Sequence, residues 1–396
     1  MANRIYFANQ QVVFRRDNST IWKPAHGVQS VAVTTTFNLE QAFELGQLAI
    51  YENIEGVPDI EMTMSKVLDG YPLLYHLATN EAGAGTAGSS MPHGPTLAGR
   101  SNAKVVVGLG VWPDTTDSAS GNPAQMMEAS GMFCSAVSYN FPLEDNFSED
   151  ITLVGNNKGW HAGPASAEAL NCTNPGWTMT NATGYFPGNN DGPAGTGGVN
   201  RRENLAFNSE NADNAGGVDF TFIPTEIPGV SSGGWMSPTQ NTANTVHLQS
   251  ITCSTDLGRE ELFELGTRQP YARVVTFPIE VTCDFEVLSL SGDMINAFAD
   301  GCTTSTDPCT GIVDNLSNQR IRIATCEGTR IYLGDKNKLA SVNYGGGDAG
   351  GGNVTVTYSY STFNDFTVLH PNDPSASGPG WWAARASYLG NSWPVA

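Results

Sequence analysis

Charged residues are scarce in this 396-residue sequence, and basic residues are the scarcest among them. Lysine and arginine number 19 against 39 acidic residues, which gives a formal net charge of −20. Charged residues make up 15% of the chain, below the roughly 25% that is usual for globular proteins. The acidic balance opposes binding to the phosphate backbone of nucleic acids. A surface that is polar but largely uncharged suits a chain that neighbouring subunits cover.

Signals for disulfides, membrane spans and secretion are also missing. The seven cysteines include no C-x-x-C pair, so neither a zinc site nor a full disulfide framework is predicted. Cys302 and Cys309 could bridge a local loop, but free thiols in a reducing compartment are favoured. No run approaches 18 apolar residues, and residues 1–10 lack the apolar core of a signal peptide. We therefore expect a protein made and kept in a cytosol, with no membrane anchor.

The sequence contains none of the motifs that would indicate a catalytic or cofactor site. Its six histidines are scattered, and His76 lies in an apolar segment, where a core or interface role is favoured. Residues 108–110 (GLG) follow a strand-like run, but no third glycine or helix comes after them. The acids Asp145, Glu149 and Asp150 lack the spacing of a calcium loop. We expect no catalytic residue, no cofactor and no bound metal, and hence no enzyme.

What the sequence does contain is an internal repeat of domain length. QSV at 29–31 recurs as QSI at 249–251, and FELG at 43–46 recurs at 263–266, both at the offset 249 − 29 = 220. The next match slips by one residue, since 279 − 60 = 219, and this slip predicts a one-residue deletion. The repeat predicts a structural core made of Phe43, Leu45, Gly46, Ile60, Phe263, Leu265, Gly266 and Ile279.

Weaker matches extend the repeat and set the expected domain limits. Residues 137–141 match 356–360, residues 150–153 match 365–368, and residues 15–18 match 201–204. The first copy is predicted to cover residues 1–160, and a linker or arm rich in Gly, Asn and Pro covers 161–197. The second copy covers 198–375 with an insertion at about 206–247, and 376–396 form a C-terminal tail.

The residue pattern predicts a mainly β (α+β) fold. The 44 glycines and 22 prolines indicate many turns, as β-rich architectures require. Apolar and polar residues alternate over 59–65 and again over 279–287, which predicts strands with one dry and one solvated face. The spacing of apolar residues over 39–45 predicts a helix that ends at Gly46. A second short helix is predicted over residues 68–78.

Three segments carry a resemblance to a known family, namely residues 28–79, 138–160 (SYNFPLEDNFSEDITLVGNNKGW) and 248–271 (LQSITCSTDLGREELFELGTRQPY). They resemble tail tube and related virion structural proteins of tailed bacteriophages. The resemblance covers most of both copies and fails over 161–195, 206–247 and the tail. It implies a β-sandwich or half-barrel domain with a flanking helix, six of which close into a β-barrel ring. Two tandem copies per chain then imply a homotrimer with pseudo-sixfold symmetry.

The resemblance also implies which strands line the channel. The inner wall would come from residues 28–36, 58–68, 248–255 and 277–287, and DNA would slide past its carboxylates without specific binding. The long loops 79–102 and 345–352 would contact adjacent rings. The implied location is the virion tail, assembled in the host cytoplasm, with tape measure, sheath, terminator and baseplate hub proteins as further partners. The residues that would line the lumen are Asp59, Glu61, Thr63, Ser65, Glu280, Thr282, Asp284 and Glu286.

Two other functions stay open on the sequence alone. A tail hub or adaptor of the same fold would form a single ring that does not polymerise. A β-sandwich carbohydrate-binding virion protein would instead stack sugars on exposed tryptophans, for which the candidates are Trp177, Trp235, Trp381 and Trp382. The chain also departs from single-domain tube proteins in its size and its inserted segment, which argues against a ring of six identical chains.

Overall fold

The computed structural model describes residues 5, 7–16, 22–46, 48–79, 97, 103–112, 123–162, 198–211, 248–288, 318–345, 347 and 352–370. This part of the chain is mainly β, as predicted. Most of the 79–102 loop, nearly all of the 161–197 segment, residues 212–247 and the 376–396 tail lie outside it. The four tryptophans considered for sugar binding, and Cys302 and Cys309, lie outside it as well.

The residues up to 162 form ten strands and one helix: β1 (Gln10–Arg16), β2 (Trp22–Pro24), β3 (Val28–Thr36), β4 (Leu39–Phe43), β5 (Ile50–Glu55), β6 (Asp59–Val67), α1 (Leu74–Ala78), β7 (Val105–Val111), β8 (Gln125–Pro142), β9 (Ser148–Gly155) and β10 (Asn157–Ala162). From residue 205 onward the strands are β11 (Leu205–Asn211), β12 (Leu248–Asp256), β13 (Arg259–Leu262), β14 (Ala272–Val275), β15 (Glu280–Leu288), β16 (Gln319–Thr325), β17 (Arg330–Tyr332), β18 (Lys338–Gly345), β19 (Thr355–Phe363) and β20 (Thr367–Leu369).

Eight strands form one continuous antiparallel sheet in the order β3-β6-β9-β8-β12-β15-β19-β18. We call β3, β6, β9 and β8 the first quartet, and β12, β15, β19 and β18 the second quartet. The two quartets have the same strand order and meet where β8 pairs with β12, which we call the internal joint. Within one chain the sheet is open.

The quartets repeat each other down to their irregularities. A bulge interrupts the β3–β6 ladder between Val28 and Ser30, and a second one interrupts the β12–β15 ladder between Leu248 and Ser250, where 248 − 28 = 220. The β8–β9 ladder is likewise interrupted at residues 134–136, and the β18–β19 ladder at residues 339–341, where 339 − 134 = 205. Because a bulge fixes local twist and register, the repeat is a repeat of structure as well as of sequence.

Strand pairing corrects the predicted one-residue deletion. Thr36 pairs with Asp59, and the ladder of the second quartet, in which Thr255 pairs with Val281, brings Asp256 opposite Glu280. Asp59 therefore corresponds to Glu280, at the offset 280 − 59 = 221. The second copy has gained one residue before this strand, and the predicted deletion is wrong. The structural counterpart of Ile60 is Val281, although Ile60 and Ile279 are both buried.

The weaker sequence matches do not mark equivalent places in the fold. Residues 356–360 lie in β19, which sits beside β15 as β9 sits beside β6, whereas their sequence match at 137–141 lies in β8. Residues 367–368 begin β20 in a separate sheet. Residues 15–16 end β1, whereas 201–204 form a turn ahead of β11. Strand β11 also takes up the start of the predicted insertion at 206–247.

A second layer covers one face of the long sheet. The first half of β8 runs on into a sheet with β10, β7, β1 and β2, and β11, β16, β17 and β20 form a four-stranded sheet. One contiguous apolar core joins these layers. Within it, Phe207 packs on Phe285 with ring centroids 4.9 Å apart. The implied arrangement of two packed sheets is present in both halves of the chain.

The segment predicted as a helix over residues 39–46 is strand β4. It pairs with β5 as the first hairpin (residues 39–55), and β13 and β14 form the matching second hairpin (residues 259–275). Gly46 and Gly266 turn the two chains with φ of +92° and +94°, a conformation that favours glycine. The expected core role is wrong for four residues of these hairpins, which are exposed: Phe43, Leu45, Phe263 and Leu265.

Helix α1 confirms the second predicted helix in a shorter form, and a buried carboxylate caps its start. Glu149 accepts hydrogen bonds from the backbone N–H groups of Leu74 (2.6 Å) and Tyr75 (2.9 Å). It also accepts one from the Tyr139 hydroxyl at 2.9 Å. Burial raises the pKa of Glu149, and the two N–H donors and the hydroxyl oppose that rise. This glutamate therefore fixes the helix to β9.

We expect the substitution Glu149→Ala to destabilise the folded chain by roughly 3 kcal/mol or more, because each donor buried without an acceptor costs about 1–3 kcal/mol. Glu149→Gln keeps one acceptor oxygen and should lose less. A buried acid with a raised pKa stabilises the fold below its unfolded-state pKa and loses this contribution as pH rises through the folded value. The difference in the free energy of unfolding between wild type and Glu149→Gln, measured in urea, should therefore decrease from about pH 4.3 upward. A difference that increases with pH would contradict this role.

Candidate assembly surface

The eight-stranded sheet has one face buried against the core and one face that no described part of the chain covers. Burial alternates along its strands. In both β6 and β15 every second residue is buried, and the residues between them are half-buried or exposed. Side chains of one parity, such as Met62 and Phe285, enter the core. The other parity forms what we call the polar face, which runs without interruption across the internal joint.

All eight residues that the resemblance assigns to the lumen lie on the polar face. They occupy two strands, β6 and β15, which have the same place in their quartets. The structure adds polar residues that the resemblance did not single out, on the strands between β6 and β15 and on β19 beyond them. Asp150 and Asp256 bring further carboxylates, and the others are mainly Ser, Thr and Asn, among them Thr152, Ser138, Asn140, Thr252, Ser254, Thr357 and Ser359.

Short hydrogen bonds tie the polar face together laterally. Asn140 donates to Asp150 at 2.7 Å, and Ser250 donates to Glu286 at 3.2 Å. The hydroxyls of Ser254 and Thr282 lie 2.8 Å apart. The strands of this face that the structure describes bring only one basic side chain to it, Lys338 at its edge. The face is therefore a hydrophilic wall of negative charge.

The sheet ends in two strands that each lack one neighbour within the described chain. Strand β3 pairs only with β6, and β18 pairs only with β19. Val33 at the β3 edge is half-buried, whereas Cys253, its counterpart in β12, is fully buried. An unpaired edge presents open N–H and C=O groups that favour pairing with another strand. Each free edge therefore lacks the neighbouring strand that its counterpart has within the chain.

The internal joint shows how strands of these two edge types pair. Strand β12 corresponds to β3, and strand β8 corresponds to β18, so β8–β12 pairing joins the two edge types inside one chain. Ser254 lies opposite Ser138 and Thr255 opposite Val137 in this joint. Leu257 extends it by donating its N–H to the Ser135 carbonyl at 2.7 Å. The joint leaves the polar face continuous and the core face closed.

The second hairpin reaches across the internal joint and docks on the first quartet. Arg259 donates to the Cys134 carbonyl at 2.7 Å, and its guanidinium lies 5.1 Å from the Phe133 ring centroid. Burial lowers the pKa of Arg259 to about 10. Further out, Arg268 donates to the carbonyls of Glu55 (2.6 Å) and Gly56 (3.2 Å). The hairpin thus fastens one quartet to the next.

An ionic cluster completes this docking. The Arg273 guanidinium forms ion pairs with Glu261 and with Asp59, the latter at 3.2 Å. It also donates to the Asn156 side-chain oxygen at 3.1 Å. The Asn156 amide in turn donates to Glu261 at 3.2 Å. Asp59 therefore serves the docking of the hairpin as well as the polar face.

Both hairpins end in an apolar tip that no described residue covers. The relative exposure of Leu45 is 102% and that of Leu265 is 105%. The two leucines occupy the same place in the repeated FELG turn. Full exposure of a leucine at one tip would be unremarkable. Its repetition at both tips, with the same glycine geometry, marks the tips as a contact surface.

The described residues offer no group of three or more His, Cys, Asp or Glu side chains that could hold a metal ion. Helix α1, which the structure does describe, is too short to cross a membrane. Cys253 and Cys283 are free thiols that face each other across β12 and β15, with sulfur atoms 3.0 Å apart. His76 is fully buried and contacts the Val368 carbonyl at 3.1 Å. Its position agrees with the expected core role.

No protein-family model and no curated protein matches this sequence. Among solved structures, the chain is similar to a chain of the anti-feeding prophage baseplate, with 9% identity over 41% of this chain and 98% of that one, and a TM-score of 0.28. It is also similar to the tube-terminating cap of the anti-feeding prophage, with 10% identity over 41% and 93% and a TM-score of 0.27. A third match is the PVC sheath-tube complex of an extracellular contractile injection system, with 13% identity over 40% and 93% and a TM-score of 0.26. TM-scores of this size support no inference about the function of this chain.

Proposed function

We propose that this protein is a structural subunit of a bacteriophage tail tube and has no catalytic role. The observation that carries the proposal is the internal joint, because it shows how a β8-type edge accepts a β3-type edge. The same contact between chains would join β18 of one copy to β3 of the next. Such a head-to-tail contact gives a ring when its rotation closes and an open filament when it does not, and we propose closure.

The internal joint also gives the register of the contact between chains. Ser254 pairs with Ser138. With the repeat offsets, 254 − 220 = 34 and 138 + 205 = 343, so Thr34 of one chain would face Asn343 of the next. By the same shift Val33 would face Tyr344. The polar face would then continue from chain to chain without a break.

Six quartets per ring, as in the family that the sequence resembles, require three chains. Twenty-four strands spaced about 4.8 Å apart and tilted by about 40° close at a backbone diameter of roughly 48 Å. Barrels of 16 to 18 strands already leave an aqueous channel. With the polar face inward, its carboxylates would line this channel and repel the phosphates of DNA in transit. The apolar core stays on the outside of the barrel wall, under the second layer.

The hairpin tips favour stacking of these rings over a single ring. Leu45 and Leu265 would together recur six times around a three-chain ring. A circle of exposed leucines buries apolar surface only against another molecule, and a second ring supplies a matching circle. This is the observation that favours a tube over a hub or adaptor, and the virion tail is the proposed location.

Electron microscopy of the purified protein across a concentration series, with mass measurement of the smallest ring, tests the proposal. We expect hollow tubes at high concentration and three-chain rings as the smallest closed species. Rings that never stack would instead indicate the hub or adaptor. A protein that stays monomeric at all concentrations would overturn the tube assignment and return attention to the carbohydrate-binding alternative.

A cysteine pair tests the predicted register directly. In the double variant Thr34→Cys, Asn343→Cys, oxidation should link chains into dimers and trimers on non-reducing gels, with no band above the trimer. The two positions lie on the polar face, so the substitutions should not disturb the core. Each single variant is the control for the native cysteines. A ladder that continues beyond three chains would contradict a closed three-chain ring.

A further inference from the structure

We infer that the first hairpin of each chain docks on the second quartet of the neighbouring chain and makes an apolar contact where the second hairpin makes an ionic one. The inference rests on the proposed ring and concerns how its two kinds of joint differ. The repeat makes certain residues equivalent, and in these pairs the second-copy residue contacts the first quartet whereas the first-copy residue is exposed.

The first such pair lies just beyond the edge strands. Phe37 and Leu257 are equivalent, since 257 − 37 = 220. Leu257 has a relative exposure of 1%, because it lies against the first quartet beyond the internal joint. Phe37 has a relative exposure of 70%. A large apolar side chain that is exposed only where the adjoining quartet is missing marks the place where that quartet belongs.

The second pair lies further along the hairpins. Leu48 is the counterpart of Arg268, which donates to the carbonyls of Glu55 and Gly56 in the internal joint. Leu48 would therefore approach the equivalent backbone of the neighbour at Val275 and Thr276. The first hairpin thus has a leucine, which can make only apolar contacts, where the second has an arginine that donates to two carbonyl oxygens.

The surface of the second quartet that would receive the first hairpin is also more apolar than the matching surface of the first quartet. Asn156, the polar centre of the ionic cluster, has Phe363 as its counterpart, because the offset between β9 and β19 is 362 − 155 = 207. Val57, beside the carbonyls that Arg268 reads, has Phe277 as its counterpart. Phe277 and Phe363 are both exposed. The exposed apolar residues of the hairpin therefore meet exposed phenylalanines.

The hairpin side of this contact exposes large apolar side chains, with four glutamates (Glu40, Glu44, Glu52 and Glu55) between them. Nearly all of the first hairpin is exposed, in contrast to the partly buried second hairpin. Arg273 and Glu261, the ion pair of the second hairpin, have the neutral counterparts Asn53 and Gln41. Without this ion pair, the docking contact should depend less on salt than the docking of the second hairpin does. Its exposed large apolar residues are Phe37, Leu39, Phe43, Leu48, Ile50, Tyr51 and Ile54.

Paired substitutions in the full-length chain test this inference. Phe37→Asp and Leu48→Asp should each weaken ring formation at least tenfold in the concentration at which rings appear, because each places a charge in an apolar contact. Leu48→Arg should leave rings intact, because the arginine can donate to the neighbour's carbonyls as Arg268 does within the chain. Leu45→Asp, at the tip of the same hairpin, is the matched control and should leave rings intact while it prevents stacking.

Oxidation footprinting provides a second readout that does not depend on the variants. Phe37 and Phe363 should lose reactivity when monomers become rings, whereas Leu45 should lose it only when rings stack. If the Thr34–Asn343 cysteine ladder forms while Phe37→Asp has no effect and Phe363 stays reactive, the docking is wrong and the ring stands. If no ladder and no ring form in the parent chain, both the docking and the tube assignment are overturned.

Discussion

A lysine at position 33 should abolish ring formation without unfolding the chain. Val33 lies on the core side of β3 and is half-buried in the single chain, so a lysine there can extend into water. In the ring it would take the place that Cys253 occupies in the internal joint, where exposure is 0%. An unpaired charge buried in that place costs several kcal/mol. We expect Val33→Lys to weaken association at least about 100-fold, since each 1.4 kcal/mol is about tenfold.

The neighbouring residue provides the matched control. Thr34→Lys introduces the same side chain on the same strand, but on the polar face, which stays in water before and after assembly. It should form rings at close to the parent concentration. Sedimentation across a dilution series measures the association, and thermal unfolding confirms that both variants fold. Equal loss of rings in the two variants would show that β3 is not buried by a neighbour.

In the proposed tube, reversal of charge on the polar face should turn a channel wall that repels DNA into one that binds it. Replacement of Glu61, Glu280 and Glu286 by lysine changes the formal charge of the chain from −20 to −20 + 6 = −14. The three positions lie on the uncovered face, so the fold and the joints should persist. We expect tubes that retain duplex DNA, with affinity falling by about 10³–10⁵ between roughly 50 and 200 mM salt if 6–10 phosphates are contacted. Particles that carry this variant should eject DNA more slowly.

Two controls separate the lumen from the rest of the surface. Glutamine at the same three positions removes repulsion without adding attraction, and it should not retain DNA. Lysine at three exposed acids outside the polar face (Glu144, Asp145 and Glu203) gives the same net charge on other surfaces. DNA held by the polar-face lysines should resist nuclease, and DNA held by the control lysines should be digested. Nuclease sensitivity in both cases would place the polar face on the outside of the assembly.

The parts of the fold that could be predicted are those in which local pattern and burial agree. Strict alternation over residues 59–65 and 279–287 predicted β6 and β15, because one face of each strand enters the core of the same chain. The domain-length repeat predicted a duplication, and the two quartets and their hairpins repeat each other. The polar face followed from the same alternation combined with the family resemblance.

The predictions that were wrong concern residues whose contacts lie outside their own stretch of sequence. The apolar residues of the first hairpin are spaced like a helix stripe, and the spacing does not show that their side chains stay exposed instead of entering the core. The repeat likewise predicts a core role for Phe43 and Leu45, because it shows that apolar residues recur and not where their side chains lie. The pairing of β19 with β15, and the direction of the one-residue slip, depend on strands that are distant in sequence, and no local pattern encodes them.

The internal joint changes how many encounters an assembly needs. Six separate quartets would require five bimolecular steps to close a ring, and each step would lose translational and rotational freedom worth at least about 4 kcal/mol. With quartets joined in pairs by the polypeptide itself, two steps suffice. The proposed ring would then contain three covalently tethered seams, which cannot dissociate by dilution, and three untethered ones. Mechanical load on the tube would therefore open it along the untethered seams, which places the limit of its strength in the pairing of β3 with β18.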